Sequence, residues 1–506
     1  MANKKPKTWL KGRGYMHLTP KIDVKKRRED LTRKISNPNW VAKYAFFPLV
    51  KRYIIQRRYK KVVGKDGKTI MAHFDKVNQK STAKERPIEY ATHLDTLIYA
   101  YYAQKISEKY EAILQSDAGL NASVIAYRTI PTKDGFTNKN NIHFAKEVFE
   151  YILAKGECVA MTFDIKSFFP SLNHAHIKNM WIELWGEGEK LPPDAFNVFK
   201  AVTQYSCIYL NDLRKGIGFD EKRLAEIRKK GIEAFFESPK ELREKIKNKA
   251  LIVYKNKETG IPHGLPISAM LANLYLLNFD KNIVENVVKK HNALYRRYSD
   301  DIVIVCDKSN FEAIEKIVNE AIEGVKVEIA KAKTEVFFFE KEDNTLKIKR
   351  KEANDTYKEN IPLIYLGFEF YGDKTLIKSA NLSKYYRRMK QAVKRKFKRI
   401  KKHQEANLLT EPVIYTKSLF RLFTAVGKAA KKISLKRTVL QFDNITQTHL
   451  YKTLPTLQSR KYRGNYITYA QKADALVPLS GIRKQISRHF SILRKAIQRQ
   501  KEKYNS

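Results

Sequence analysis

Cysteine is scarce in this sequence: Cys158, Cys207 and Cys306 lie far apart, each in apolar surroundings. That spacing excludes a disulfide framework and a cysteine-ligated zinc site, and it suits reduced core thiols in a cytosolic protein. Long apolar runs are missing too. None approaches the roughly 20 residues of a membrane span, and the opening Met1-Ala-Asn-Lys-Lys-Pro-Lys7 has no secretory apolar core. We therefore expect no membrane partner and a cytoplasmic location. No fixed-period repeat and no long flexible linker interrupt the chain.

Acid is the other shortage. Against 99 Lys+Arg stand 53 Asp+Glu, a net charge of +46. The excess recurs along most of the length, so it belongs to the surface at large and not to one tail. A polyanionic partner is the simplest explanation, nucleic acid ahead of membrane. With 43% hydrophobic and 11% aromatic residues over 506 positions, the chain can bury a full core across two to four domains.

In so basic a chain the few clustered acids stand out. Ala293-Leu-Tyr-Arg-Arg-Tyr-Ser-Asp-Asp-Ile-Val-Ile-Val-Cys306 has β-branched or aromatic flanks on both sides of Ser299-Asp300-Asp301. It reads as two strands joined by a tight turn that carries two adjacent carboxylates. Adjacent acids repel, and a hard divalent cation reverses that cost by taking carboxylate oxygens as ligands. Val159-Ala-Met-Thr-Phe163 reads as a buried strand that delivers Asp164. Three carboxylates from two strand ends can hold two Mg²⁺ ions about 3.5–4 Å apart, the arrangement of in-line phosphoryl transfer. Taken singly, an Asp-Asp pair in a turn is usually only a turn.

Three regions follow from the pattern. Residues 1–115 form a basic, aromatic-rich extension, with Trp9, Tyr15, Trp40, Tyr44 and Phe46-Phe47 between cationic clusters. Interleaving of that kind suits stacked bases and paired phosphates, although any single ring can as well be core. A hairpin turns at Asp66-Gly67, and Tyr90–Tyr110 has helical spacing. Residues 116–375 hold the acids, an expected strand Val124–Arg128, a basic loop with Lys133, a charged helical stretch Asp220–Lys249 and the Gly/Pro loop Gly260-Ile-Pro-His-Gly-Leu-Pro266. Residues 376–506 read as helical. From Lys384 to His403, Tyr385, Met389, Val393, Phe397 and Ile400 make one apolar stripe, with Ser383 as its N-cap. Arg387, Arg388, Lys394, Arg395 and Lys398 lie off that stripe, a candidate phosphate track. Gly481–Arg499 repeats the design.

Phe163-Asp164-Ile-Lys-Ser-Phe-Phe169, Gly260-Ile-Pro-His-Gly-Leu-Pro-Ile-Ser268 and Tyr298-Ser-Asp-Asp301 resemble three consecutive polymerase motifs of reverse transcriptases. Lys333-Thr334 and Leu366-Gly-Phe368 are similar to the two that follow. The resemblance spans about residues 120–375. It implies an α+β right-hand polymerase of fingers, palm and thumb, with the basic extension in front and a helical thumb behind. By the same resemblance Asp164, Asp300 and Asp301 are metal ligands, joined by the backbone carbonyl of Ile165, for two Mg²⁺ ions or Mn²⁺ in their place. Lys333 resembles the lysine that protonates pyrophosphate. Arg128, Lys133, Phe168, Phe169, His263 and Gly264 take nucleotide-binding positions. Phe169 stands where a ring excludes a 2′-hydroxyl. The family usually has Gln where His263 stands, which bears on template handling.

Arg13-Gly-Tyr15, Phe46-Phe-Pro48, Ala126-Tyr-Arg128, Ile142-His-Phe-Ala145 and Arg463-Gly-Asn-Tyr-Ile-Thr-Tyr469 further resemble bacterial defence-associated reverse transcriptases of the abortive-infection and unknown-group branch. That likeness implies a prokaryotic cytoplasmic enzyme of antiphage defence. Its partners would be a dedicated non-coding RNA, dNTP and a DNA product, with homo-oligomers open to it. Two other readings stay open. One is template-poor or protein-primed synthesis of homopolymer-like DNA. The other is a non-enzymatic, basic RNA-binding scaffold.

Overall fold

The β-branched and aromatic run Leu49–Gln56 forms a strand that pairs on both edges. Lys84–Tyr90 lies antiparallel to it with Val50 opposite Tyr90, and Ser206–Tyr209 lies parallel with Val50 opposite Ile208. Tyr254–Lys255 completes this four-stranded sheet. The N-terminal segment is thus woven into later chain, and Leu18, Val50, Ile208, Leu213, Phe235, Phe236, Leu242 and Leu251 share one core. This computed structural model describes residues 9–505 apart from 57–59, 64–68, 76, 187, 216–224, 227–228, 230, 232–233, 237, 257–258, 344, 353, 408–415, 429–431, 444 and 462–463. The expected turn at Asp66-Gly67 lies outside the described residues, although the strands flanking it, Lys60–Val63 and Thr69–Ala72, do pair.

Two compact units emerge. The first comprises residues 1–128, 162–302 and 312–334; the second comprises 129–161, 303–311 and 335–506. In the first unit, Thr92 caps the long helix His93–Ser116 by accepting from the Asp95 amide. That helix packs on His174–Trp185 and Ser268–Tyr275. Many N-terminal aromatics are spent here. Trp9 meets Tyr101 edge-on at 5.2 Å, Phe46 stacks on Tyr99 at 5.1 Å, and Tyr15 stacks on His93 at 5.1 Å. These rings pack the fold instead of offering faces to bases. Much of the charged helical stretch expected over Asp220–Lys249 lies outside the described residues; among those described, Pro239–Lys247 is a helix and the Phe235-Phe236 pair before it is buried.

In the second unit, Asn140 and His143 form a capping box that starts the helix Asn141–Lys155. Its Phe149 stacks on Phe370 at 4.7 Å. Glu335–Glu342, Thr345–Lys351 and Tyr357–Glu359 make an antiparallel meander. Leu363–Tyr365, Phe368–Phe370 and Thr375–Ile377 make another, and Leu366-Gly367 forms the turn between its first two strands. The helix Ser379–Asn407 follows, with Tyr385, Met389, Val393, Phe397 and Ile400 all buried. It begins before Ser383, which therefore sits within the helix and not at its cap. The C-terminal region is not all helical. A long antiparallel hairpin, Lys432–Asp443 with Thr448–Lys461, stands between Lys417–Phe423 and Tyr466–Leu476. The expected helix Gly481–Arg499 is two, Ile482–Ile486 and His489–Asn505. Cys158, Cys207 and Cys306 are buried free thiols, and among the described residues no helix is long and apolar enough to cross a membrane.

Candidate active site

Leu294–Tyr298, Asp301–Cys306 and Cys158–Asp164 are neighbouring strands in that order. Between the first two, Ser299 adopts the left-handed region (φ 63°) and makes the turn tight enough to present Asp300 and Asp301 at its tip. Ser299 is buried, Asp300 half-buried and Asp301 exposed. Beside them the Ile165 amide donates to the Asp300 carbonyl at 3.3 Å, so the main chain after Asp164 abuts the acidic turn. On its other side the Ala330 amide donates to the Asp164 carbonyl at 2.8 Å, and Ile165 bridges Ile329. The short 3₁₀ turn Lys331–Lys333 then brings the Lys333 ammonium onto the Asp164 carboxylate.

Backbones that are distant in sequence therefore meet as expected, but the carboxylates do not close into a ligand set. Among the described residues no three His, Cys, Asp or Glu side chains group tightly enough to hold an ion. Three like charges at one point repel, and here the Lys333 ammonium takes one of them. The donor chemistry fits a hard divalent cation, because half-exposed carboxylates and strand-end carbonyls are the oxygens such ions choose.

Next to the acids lies an apolar shelf. His263 packs on Phe169, ring centroids 4.2 Å apart and tilted 54°. The loop that carries His263 is pinned from two sides. Its Gly260 amide donates to the Leu172 carbonyl at 2.8 Å, and the Ile261 amide to the Phe169 carbonyl at 3.0 Å. Across the loop, the His263 amide donates to Glu89 Oε2 at 3.0 Å and the Glu89 amide donates to the His263 carbonyl at 2.7 Å. Glu89 is buried and paired with Lys51 at 3.2 Å. Gly264 has to be glycine: its φ is 121°, and a Cβ there would stand 2.6 Å from the Glu89 carbonyl oxygen. Burial pulls the His263 pKa below its usual value, outweighing the pull upward from Asp300.

The structure corrects several of the nucleotide-binding assignments. Val124–Arg128 is not a strand, because Tyr127 turns into the left-handed region (φ 61°) and folds Arg128 inward. The Arg128 guanidinium forks onto Glu111 at 2.7 and 2.8 Å and also donates to the Val124 carbonyl at 2.6 Å. With its side chain 2% exposed, it is committed to the fold and not to a triphosphate. Phe168 is buried beneath the turn that presents Phe169. Lys133 is exposed on a turn of the second unit, and Arg387, Arg388, Lys394, Arg395 and Lys398 are exposed on Ser379–Asn407.

Other residues brace the turn and escaped the reading of the sequence. Arg297 and Asp280, both fully buried, pair through Nε–Oδ1 at 2.7 Å and Nη2–Oδ2 at 2.5 Å. Arg297 Nη1 reaches Asn273 Oδ1 at 3.2 Å and the Ser299 carbonyl at 3.3 Å. The Tyr127 hydroxyl lies 3.0 Å from Ser299 Oγ. A lone acid in the apolar helical run after Ser268, and an arginine where a buried strand should be apolar, were the available signals.

Residues 196–370 match the family model for reverse transcriptase (RNA-dependent DNA polymerase). The match takes in the His263 loop, Asp300, Asp301, Lys333 and the Leu366-Gly367 turn, and starts beyond Asp164. With it, the mixed helix and strand architecture is consistent with a right-hand polymerase fold, and reverse transcriptases generally use divalent metals. Comparison with curated proteins finds no match. Among solved structures, apo telomerase from Candida tropicalis, truncated from its C-terminal domain, is 11% identical, with 67% of this chain aligned to 58% of that one at a TM-score of 0.36. Telomerase from Candida albicans in complex with a TWJ fragment of telomeric RNA is 12% identical, 72% against 52%, at 0.35. At those scores the likeness carries no argument, and the chain spans little more than half the length of either telomerase.

Proposed function

We propose that this chain is an RNA-directed DNA polymerase. The observation that carries the reading is the hydrogen bond from Ile165 to Asp300, which joins the Asp164 strand end to the acidic turn. Asp164, Asp300 and Asp301, with the Ile165 carbonyl, would hold the divalent ions. Bound Mg²⁺ supplies Lewis-acid activation of a 3′-hydroxyl and neutralises charge on the departing pyrophosphate. The protein's own part is to orient and to move protons. Phe169, backed by His263, lies under the sugar of the incoming nucleotide. Lys333, already at the acids, protonates the leaving pyrophosphate.

The reading extends to antiphage defence with a dedicated non-coding RNA, supported by the flanking motifs around Ala126-Tyr-Arg128 and Ile142–Ala145. The test is dNTP incorporation by the purified chain on an RNA template with Mg²⁺, followed by sequencing of the copurifying RNA and of the DNA made. Homopolymer tracts unrelated to the RNA would replace copying with template-poor addition.

Two variants probe the shelf and the turn. Phe169→Val removes the ring that blocks a 2′-hydroxyl, so relative use of ribonucleotides should rise about 10–200-fold. Unchanged selectivity in a competition assay would remove Phe169 from the sugar. Tyr127→Phe deletes one hydrogen bond to Ser299, worth about 0.5–1.5 kcal/mol. We expect a two- to tenfold fall in kcat by the usual conversion. Ser299→Ala should give the same loss, and the two together no further loss.

A further inference from the structure

We propose that the groove between Ser379–Asn407 and His489–Asn505 is a binding site for a single strand of RNA. The two helices pack on each other through faces in which Met389, Val393, Leu493 and Ile497 are buried. Beside that seam is a groove of about 260 Å³, with Lys390 and Lys394 on one wall, Lys495 and Arg499 on the other, and Ile492 and Ala496 in the floor. All four cations are exposed, and no carboxylate among the described residues pairs with any of them.

Four positive charges facing one another across a small groove repel, and no acid among the described residues offsets that cost. A phosphodiester strand does. Each wall carries its charges one helical turn apart, about 6 Å along the axis, comparable with the separation of neighbouring phosphates on one strand. Two such walls over an apolar floor give a cationic channel that tracks a backbone and leaves sugar edges to touch Ile492 and Ala496. A lone phosphate would engage one pair and leave the other unsatisfied. An anionic bilayer needs a convex or flat face, and this one is recessed. Lys390 and Lys394 lie on the basic helix face read from the sequence as a phosphate track. The second wall comes from the last helix, which makes the C-terminus a part of the nucleic-acid surface. The choice of RNA rests on the polymerase reading above.

The test uses the full chain and a short, labelled, unstructured RNA, titrated without nucleotide between ~50 and ~200 mM salt. Removing the charges with Lys390→Gln, Lys394→Gln, Lys495→Gln and Arg499→Gln should lower affinity on the order of a hundredfold near ~100 mM salt. The slope of log K against log salt should become shallower by about 3, at roughly 0.7 per phosphate released. The pair Lys390→Gln/Lys394→Gln should take about half of that change. Lys390→Arg, Lys394→Arg and Lys495→Arg should keep the slope, and an unchanged thermal midpoint reports the fold. An unmoved slope overturns the proposal, as does a loss seen only with vesicles of phosphatidylserine in phosphatidylcholine. The readout needs no catalysis, so a chain that binds in this way but never incorporates dNTP would sink the polymerase reading alone.

Discussion

Replacing Asp300 and Asp301 together by Ala should lower deoxynucleotide incorporation at least about a thousandfold and leave the fold intact. The two losses separate because the carboxylates sit at the tip of a turn, one half-buried and one exposed. Substitutions at such positions usually shift stability within ~0.5 kcal/mol, and removing two neighbouring like charges relieves repulsion. The chemistry has no such cushion. Ion-mediated stabilisation of developing charge is worth several kcal/mol, and each 1.36 kcal/mol is about tenfold in rate. Asp164→Ala should behave alike, with one difference: it frees the Lys333 ammonium from its carboxylate partner. Incorporation on an RNA template, set beside a denaturant midpoint, checks both variants. Activity surviving in the double variant would remove the metal assignment, and the surrounding positive charge could not restore it.

That the sequence pointed to these acids at all has a physical basis. A strand buried on both faces must read apolar without a break, so Asp164 after Val159–Phe163 and the pair after Tyr298 interrupt a pattern that nothing structural asks them to interrupt. Period is equally legible, which is why the stripe Tyr385–Ile400 is found buried. Partnership between distant side chains is not. Arg128 follows an apolar stretch whether it reaches for a triphosphate or folds back onto Glu111, and only the left-handed Tyr127 decides between them. A non-glycine residue at positive φ leaves no mark in the pattern. The hairpin Lys432–Lys461 was missed because its basic residues break up a weak period-two alternation. The N-terminal aromatics left two readings open, stacking on bases or packing in the core, and Trp9, Tyr15 and Phe46 pack on rings of the fold itself.

The Arg297–Asp280 pair should prove the most costly single contact to break. Asp280→Ala leaves a guanidinium buried without its carboxylate, and Arg297→Met leaves a carboxylate without its cation, so each should destabilise by ~3–5 kcal/mol. Asp280→Ala also takes the acceptor from Tyr295, whose hydroxyl donates to Asp280 Oδ1 at 2.6 Å, whereas Arg297→Met leaves that bond in place. Replacing both members by apolar residues of similar size, Asp280→Leu with Arg297→Met, removes the orphaned charge and should return most of the stability. Catalysis should not return with it. Arg297 Nη1 also holds the Ser299 carbonyl and Asn273, and Asn273 in turn donates to the Ala126 carbonyl at 2.9 Å, next to Tyr127. The buried pair thus holds the strand that enters the acidic turn, the Ser299 carbonyl within the turn and, through Asn273, the Ala126 carbonyl beside it, and a repacked apolar core holds neither carbonyl. A denaturant midpoint near that of the unmodified protein, together with incorporation still ten- to a hundredfold down, is the expected combination, the loss typical where an outer partner of a metal ligand is removed. If stability and activity recover together in the double variant, the pair serves packing alone, and the orientation of Asp300 and Asp301 must be set by the turn itself.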